Sequence, residues 1–212
     1  MARNIEIKAQ VPALDALRAA VVAIVSTPGE LLEQEDTFFA VPSGRLKMRR
    51  FSDGTGELIS YHRSDHAGPK ESVYSRYPCQ NARVLADTLS QALRVRGVVA
   101  KRREVFLVGR TRIHLDEVQR LGCFVELEVV LSEWESTEDG ERVARELLHT
   151  LNVPTAALVG ESYIDLLEAA AIEQAMHESA ADVSTAAAGT HCAQGLAGGC
   201  HMIFDAFRSG KR

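Results

Sequence analysis

Residues 124–131 alternate in a way that only an extended chain can use. Val125, Leu127, Val129 and Leu131 fall on one face at a period of two, and Phe124, Glu126 and Glu128 fall on the other. The apolar face has to be covered. The two carboxylates repel each other unless water or a cation lies against them. The N-terminal segment repeats the pattern, with Ile5, Ile7 and Ala9 one way and Asn4, Glu6, Lys8 and Gln10 the other. A fold for this chain must therefore hide one face of several strands and give their charged faces something to look at.

Strand-like segments recur along the chain at 3–9, 34–41, 45–50, 57–63, 73–77, 98–108, 111–118 and 123–131, joined by short turns such as 42–44 and 52–56. Sequential strands with short turns favour antiparallel pairing. Helical stripes fall between them: Leu14, Leu17, Val21 and Ile24 after Pro12; Leu85, Leu89 and Leu93 after a cap at Asn81; and Val143, Leu147 and Leu151 after Ser136 with Asp139. A last helix is expected from Gly160 to about Ala181. From Asp182 the composition turns to Ala, Gly, Ser and Thr without periodicity, which reads as a disordered tail. The expected organisation is a domain over 1–170, with 171–212 holding the end of the last helix and that tail. About eight strands with one apolar and one charged face, plus three matching helices, give an α+β fold. Its simplest form is a barrel with the helices outside and the charged faces inside.

Sorted by face, the cations that can share this interior are Lys8, Lys47, Arg49, Arg63, Lys101, Arg103 and Arg112, and the anions are Glu6, Asp116, Glu126 and Glu128. Unpaired buried ions cost several kcal/mol each. Internal ion pairs absorb part of such a set; a polyanion with a bound metal absorbs all of it. Guanidinium forks and ammonium charges suit phosphate oxygens, and grouped carboxylates suit Mg²⁺ or Mn²⁺. The net charge of -5 argues against a nucleic-acid or anionic-membrane surface. Four scattered cysteines, no signal-peptide core and no apolar run long enough to span a bilayer fit a reducing, cytoplasmic setting.

Residues 4–8 resemble the Glu-x-Glu-x-Lys signature of CYTH proteins, the triphosphate tunnel metalloenzymes. The likeness continues in order through 34–39, 46–49, 58–63, 101–103, 113–118, 121–122, 124–128 and 162–167. It covers roughly residues 1–168 and is most similar to the class IV adenylyl cyclase branch. The resemblance implies an eight-stranded antiparallel closed barrel whose tunnel binds a triphosphate with Mg²⁺ or Mn²⁺. It implies Glu6, Glu126, Glu128 and Asp116 as metal ligands. It implies Lys8, Lys47, Arg49, Arg63, Lys101 and Arg103 as phosphate holders, with Lys8 and Arg63 also catalytic. A cyclase of this kind lets a ribose hydroxyl attack the α-phosphorus, with pyrophosphate leaving. A hydrolase lets water attack the terminal phosphorus of tripolyphosphate or thiamine triphosphate. A third reading is a catalytically silent polyphosphate binder. The expected partners are the small-molecule triphosphate and, at most, a second copy of the chain as a homodimer.

Two departures bear on these readings. Asn4 replaces the first signature glutamate, which removes a carboxylate and leaves open one metal or two. Phe38, Phe39 and Arg63 stand where thiamine triphosphate hydrolases of the family use a Tyr–Lys pair, and arginine is a poor proton acceptor. Plainer roles also stand beside the functional ones. Glu126 and Glu128 suit an exposed strand face, and Lys47 and Arg49 suit a charged edge that blocks aggregation. His114, on the face of Arg112 and Asp116, suits a structural hydrogen bond. Tyr61, Phe106 and Trp134 suit packing. His191-Cys192 and Cys200-His201 match no standard zinc spacing.

Overall fold

A computed structural model of the chain describes residues 1–189, with side chains to residue 178. Eight strands, all paired antiparallel, close into a barrel: β1 (Ala2–Val11), β2 (Glu30–Phe39), β3 (Arg45–Phe51), β4 (Gly56–Arg63), β5 (Lys70–Cys79), β6 (Val95–Val108), β7 (Thr111–Val118) and β8 (Gly122–Val130). Around the ring they run β1, β5, β4, β3, β2, β6, β7, β8, and β8 pairs back onto β1. The helices are α1 (Asp15–Val22), α2 (Ala82–Ala92), α3 (Thr137–Thr150) and α4 (Tyr163–Gly189), with a short 3₁₀ turn at Thr155–Ala157.

The alternation read from the sequence sets which face turns outward. Ile5, Ile7, Ile113, Leu115, Val125, Leu127 and Val129 are all at most 1% exposed. They pack against Leu17 and Val21 of α1 and Ala144 and Leu148 of α3. α2 covers another sector, where Leu85 and Leu89 meet Phe39 and Met48. Both caps expected from the sequence form: Asn81 accepts from Val84 N at 3.2 Å, and Ser136 accepts from Asp139 N at 3.1 Å.

The inner stripe of α3 differs from the sequence reading. It is centred on Gly140, Ala144 and Leu148, with Val143 and Leu147 to the side. Gly140 explains the shift. A Cβ there would lie 2.6 Å from Ile5 Cγ1 and 2.7 Å from Leu131 Cδ2, so small residues let the helix sit against β1. Of the three aromatics assigned to packing, Phe106 is core, Trp134 is 90% exposed and Tyr61 faces the bore.

One end of the barrel is closed. Phe38, Val99, Val118 and Phe124, each inward-pointing, pack with Tyr163, Ile164 and Leu167 of α4's first turns. Arg96 fixes these turns by forking onto Glu168 at 3.0 and 2.6 Å and reaching Asp165 at 2.8 Å. Residues 1–170 form one compact unit, and from Ala171 α4 belongs to a second. The helix runs to Gly189 rather than stopping near Ala181, because alanine carries the highest helix propensity. The rest of the expected tail, with the His191-Cys192 and Cys200-His201 pairs, lies outside the described residues. No described helix is long and apolar enough to cross a membrane.

Candidate active site

Strand parity delivers one side chain in two to the bore. Its lining includes Asn4, Glu6 and Lys8 of β1, Gln34 and Asp36 of β2, Lys47 and Arg49 of β3, and Tyr61 and Arg63 of β4. Lys101 and Arg103 of β6, Arg112 and His114 of β7, and Glu126 and Glu128 of β8 join them, with Ser72, Tyr74 and Arg76 of β5, around a cavity of about 300 Å³. Every phosphate holder expected from the sequence lines this chamber, as do Glu6, Glu126 and Glu128.

On one wall, β3, β2 and β6 gather three cations on a single carboxylate. Lys47 Nζ and Lys101 Nζ donate to Asp36 Oδ2 at 2.9 and 3.0 Å. Arg49 forks onto both oxygens at 2.8 Å each. Asp36 is 1% exposed. Burial works against its charge, but Arg49, Lys101 and Lys47 hold its carboxyl well below the usual range. Burial lowers the Lys101 amine to about 7 against the pull of Asp36. One carboxylate among three cations leaves two positive charges unbalanced.

The facing wall, β7, β8 and β1, carries the carboxylates. Arg103 forks onto Asp116 at 2.7 and 2.5 Å and also reaches Glu126 Oε2 at 2.7 Å. Arg112 Nε donates to Glu128 Oε2 at 2.8 Å, and Arg63 Nη1 lies 3.0 Å from Glu6 Oε1. Burial, with the charge of Glu126 second, raises Glu6 to about 7 against Arg63. Burial works against the charge on Glu126, but the imidazole of His114 and the guanidinium of Arg103 hold its carboxyl well below the usual range. His114, Glu126 and Glu128 bring ligand atoms within 4.8 Å of one another. Asn4 Oδ1, buried in the same chamber, has no hydrogen-bond partner.

Two expected ligands sit differently from this cluster. Asp116 is fully buried, with both oxygens taken by Arg103 and one also accepting from Tyr163 Oη at 2.8 Å. Glu6 faces Glu128 in the β1–β8 register, but its carboxylate meets Arg63. At the closed end Lys8 Nζ donates to the Glu161 carbonyl and lies 4.4 Å from the Tyr163 ring centroid. Burial lowers its amine to about 8. At the opposite end the lining turns partly apolar, with Leu32, Phe51, Tyr74 and Val105. Sequence reasoning assigned no role to Asp36, Tyr163 or Lys70, although the first two lie inside matched motifs. Lys70 is 1% exposed and donates to the His66 carbonyl at 3.1 Å.

A closed antiparallel barrel of eight strands with a bore charged in this way defines the class of triphosphate-tunnel proteins. Within that class the sequence is more specific: the profile of the CYTH domain matches residues 2–163, and the chain belongs to the CYTH family. Members of this family bind triphosphates, generally as metal-dependent enzymes. Among solved structures, the PH1012 protein of Pyrococcus horikoshii OT3 superposes with a TM-score of 0.69 at 22% identity, covering 77% of this chain and 98% of its own. A candidate adenylate cyclase of Vibrio parahaemolyticus gives 0.66 at 19% identity, covering 78% and 97%. A candidate adenylyl cyclase of Hippeastrum with a dominant triphosphatase activity gives 0.55 at 14%, covering 80% and 96%. At these identities the likeness is one of fold. No curated protein matches the chain in sequence.

Proposed function

We propose that this chain is a metal-dependent enzyme acting on a nucleoside triphosphate in the manner of an adenylyl cyclase, converting ATP to cyclic AMP and pyrophosphate. The observation that carries the reading is the sharing of Asp36 by Lys47, Arg49 and Lys101. The half-buried Lys47 and Arg49 and the buried Lys101 share one carboxylate, so a bound polyanion would supply the negative charge this wall lacks and hold its amines protonated. A triphosphate chain would do so.

The facing wall fits a divalent ion. Glu126 and Glu128 cluster with His114, and the orphaned Asn4 Oδ1 is a neutral oxygen donor buried without a partner. Glu126 and Glu128 would hold Mg²⁺ or Mn²⁺; Glu6, whose carboxylate meets Arg63, would add its charge to the acidic wall. A bound ion supplies neutralisation of phosphate oxygens and polarisation of the reacting phosphoryl group. Asp116 is assigned instead to orienting Arg103, because both its oxygens are spent there.

Lys47, Arg49, Lys101 and Arg103 hold the phosphate chain by charge-assisted hydrogen bonds. Arg63 and Lys8 address it from the closed end. Lys8, lowered by burial to about 8, exchanges a proton near neutral pH and serves a departing phosphate oxygen. The apolar patch of Leu32, Phe51, Tyr74 and Val105 at the other end suits an organic group on the triphosphate, which supports a nucleotide over bare tripolyphosphate. A hydrolase is the second reading, supported by the triphosphatase activity of the Hippeastrum neighbour. It uses the same clamp with water as the nucleophile.

Incubation with ATP, tripolyphosphate and thiamine triphosphate in Mg²⁺ or Mn²⁺, followed by product separation, tests these readings. Cyclic AMP with pyrophosphate is the expected result. Orthophosphate instead would establish the hydrolase. A rise in melting temperature with tripolyphosphate but no turnover would leave only a binding protein.

A further inference from the structure

Resting on the metal-site reading above, we infer that His114 is a direct nitrogen ligand of the bound ion, and that the site therefore prefers Mn²⁺ to Mg²⁺. His114 is 4% exposed and faces Glu126 in the β7–β8 register, so the backbone holds the imidazole against the carboxylates. Its Nδ1 lies 3.5 Å from Glu126 Oε2 and 3.9 Å from Glu128 Oε1. Both separations are long for a hydrogen bond, which runs to about 3.2 Å. Both lie inside the span, up to about 4.2 Å, that two donors on one ion can reach. Ligand atoms each about 2.1 Å from a metal stand about 3 Å apart at a right angle and about 4.2 Å apart when opposed.

The carboxylates have hydrogen-bond partners that match them better than His114 does. Glu126 Oε2 takes Arg103 at 2.7 Å, and Glu128 Oε2 takes Arg112 at 2.8 Å. Both Oε2 atoms are therefore spent on arginines, and the two carboxylates would meet an ion through Oε1, with the imidazole beside them. Asn4 Oδ1 and Gln34 Oε1 line the same chamber, buried and without a hydrogen-bond partner, so the chamber holds polar atoms that a bound ligand would satisfy.

The donors brought together are two carboxylates and one imidazole. They carry two negative charges fewer than a set of four carboxylates. Mg²⁺ is hard, gives up water reluctantly and takes oxygen almost exclusively. Replacing one oxygen by imidazole moves the preference along the first-row series, away from Mg²⁺ and toward Mn²⁺ and the later divalent ions.

The test is electron spin-echo envelope modulation on the full-length protein loaded with Mn²⁺. The wild type is expected to show the modulation of a directly coordinated ¹⁴N. Growth on ¹⁵N-histidine should convert it to the ¹⁵N pattern, a control that needs no substitution. His114→Gln should abolish the modulation and weaken Mn²⁺ binding, measured from the free-ion signal, by about tenfold or more. It should shift Mg²⁺ binding less, so that the Mn²⁺/Mg²⁺ preference narrows. If Mn²⁺ binds the wild type, is lost in Glu126→Gln, and shows no nitrogen coupling, the metal site stands and the histidine ligand is overturned. If Mn²⁺ does not bind even with tripolyphosphate present, the metal site itself is overturned.

Discussion

The two walls of the bore solve the burial of charge in opposite ways. On the β3–β2–β6 wall, three cations crowd one carboxylate, so the wall is positive and awaits an anion. On the β7–β8–β1 wall, three guanidinium groups serve four carboxylates, Glu6, Asp116, Glu126 and Glu128. That wall is close to balanced, and arginine hydrogen bonds reach only Oε2 of Glu126 and of Glu128 among the described residues. Along the whole sequence 24 lysines and arginines stand against 29 acids, a count that does not reveal either wall. What distinguishes the walls is how they pair, and on the proposed reading the unbalanced wall would take the polyanion and the wall with spare oxygens the cation that accompanies it.

Breaking the positive wall has the largest expected effect. Asp36→Asn leaves Lys47, Arg49 and Lys101 buried together without a counter-charge, and should cost about 3–5 kcal/mol in denaturant unfolding. Saturating tripolyphosphate should restore part of that loss. An unchanged unfolding midpoint would mean that Asp36 does not organise the wall. On the other side, Glu126→Gln should keep the fold and lower metal-dependent turnover about 10²–10³-fold, seen in the steady-state rate. Full activity in that variant would remove Glu126 from the site. Tyr163→Phe deletes one donor to Asp116, which Arg103 still holds. A loss of about 1 kcal/mol is expected, with turnover little changed.

The smallest effect is a slope. The Lys101 amine titrates near 7 in the folded chain against 10.5 unfolded. The unfolded state therefore holds more protons between these values, and this group's contribution to stability grows as pH rises from 7 to 10.5 and is lost as pH falls through 7. Its share of the slope is at most about 1.4 kcal/mol per pH unit. Ligand-free Lys101→Met should lack that share when melting is followed from pH 7 to 10. Identical slopes in the two proteins would show that Lys101 is not held as a costly buried cation.

Much of the barrel was legible because period-two alternation carries its own orientation. Where the second face is aliphatic, as in residues 4–10 and 124–131, charge on the first face must point inward once helices cover the outside. The same logic placed Lys47 and Arg49 correctly. It gave no role to Asp36, because β2 carries Glu33 and Glu35 on the opposite parity and Leu31 and Leu32 on both, so no apolar contrast marks the inner face. Lys70 starts its strand after a polar loop, where alternation has not begun. Tyr163 reaches Asp116 across 47 residues of chain, a meeting that only tertiary packing creates. His114 lay on the right face, but one imidazole on a strand reads the same whether its neighbour is a carboxylate or a metal.

The plug of Phe38, Val118, Phe124, Tyr163 and Ile164 makes the bore a blind alley with one doorway. On the proposed reading a triphosphate would enter phosphate tail first, because Lys8, Lys47 and Lys101 lie toward the sealed end and Leu32, Phe51, Tyr74 and Val105 lie at the other. The last part admitted would then be the first able to leave. On the proposed reading, a pyrophosphate lodged deepest would have to wait for the cyclic nucleotide in front of it, so the barrel itself would set the order of release.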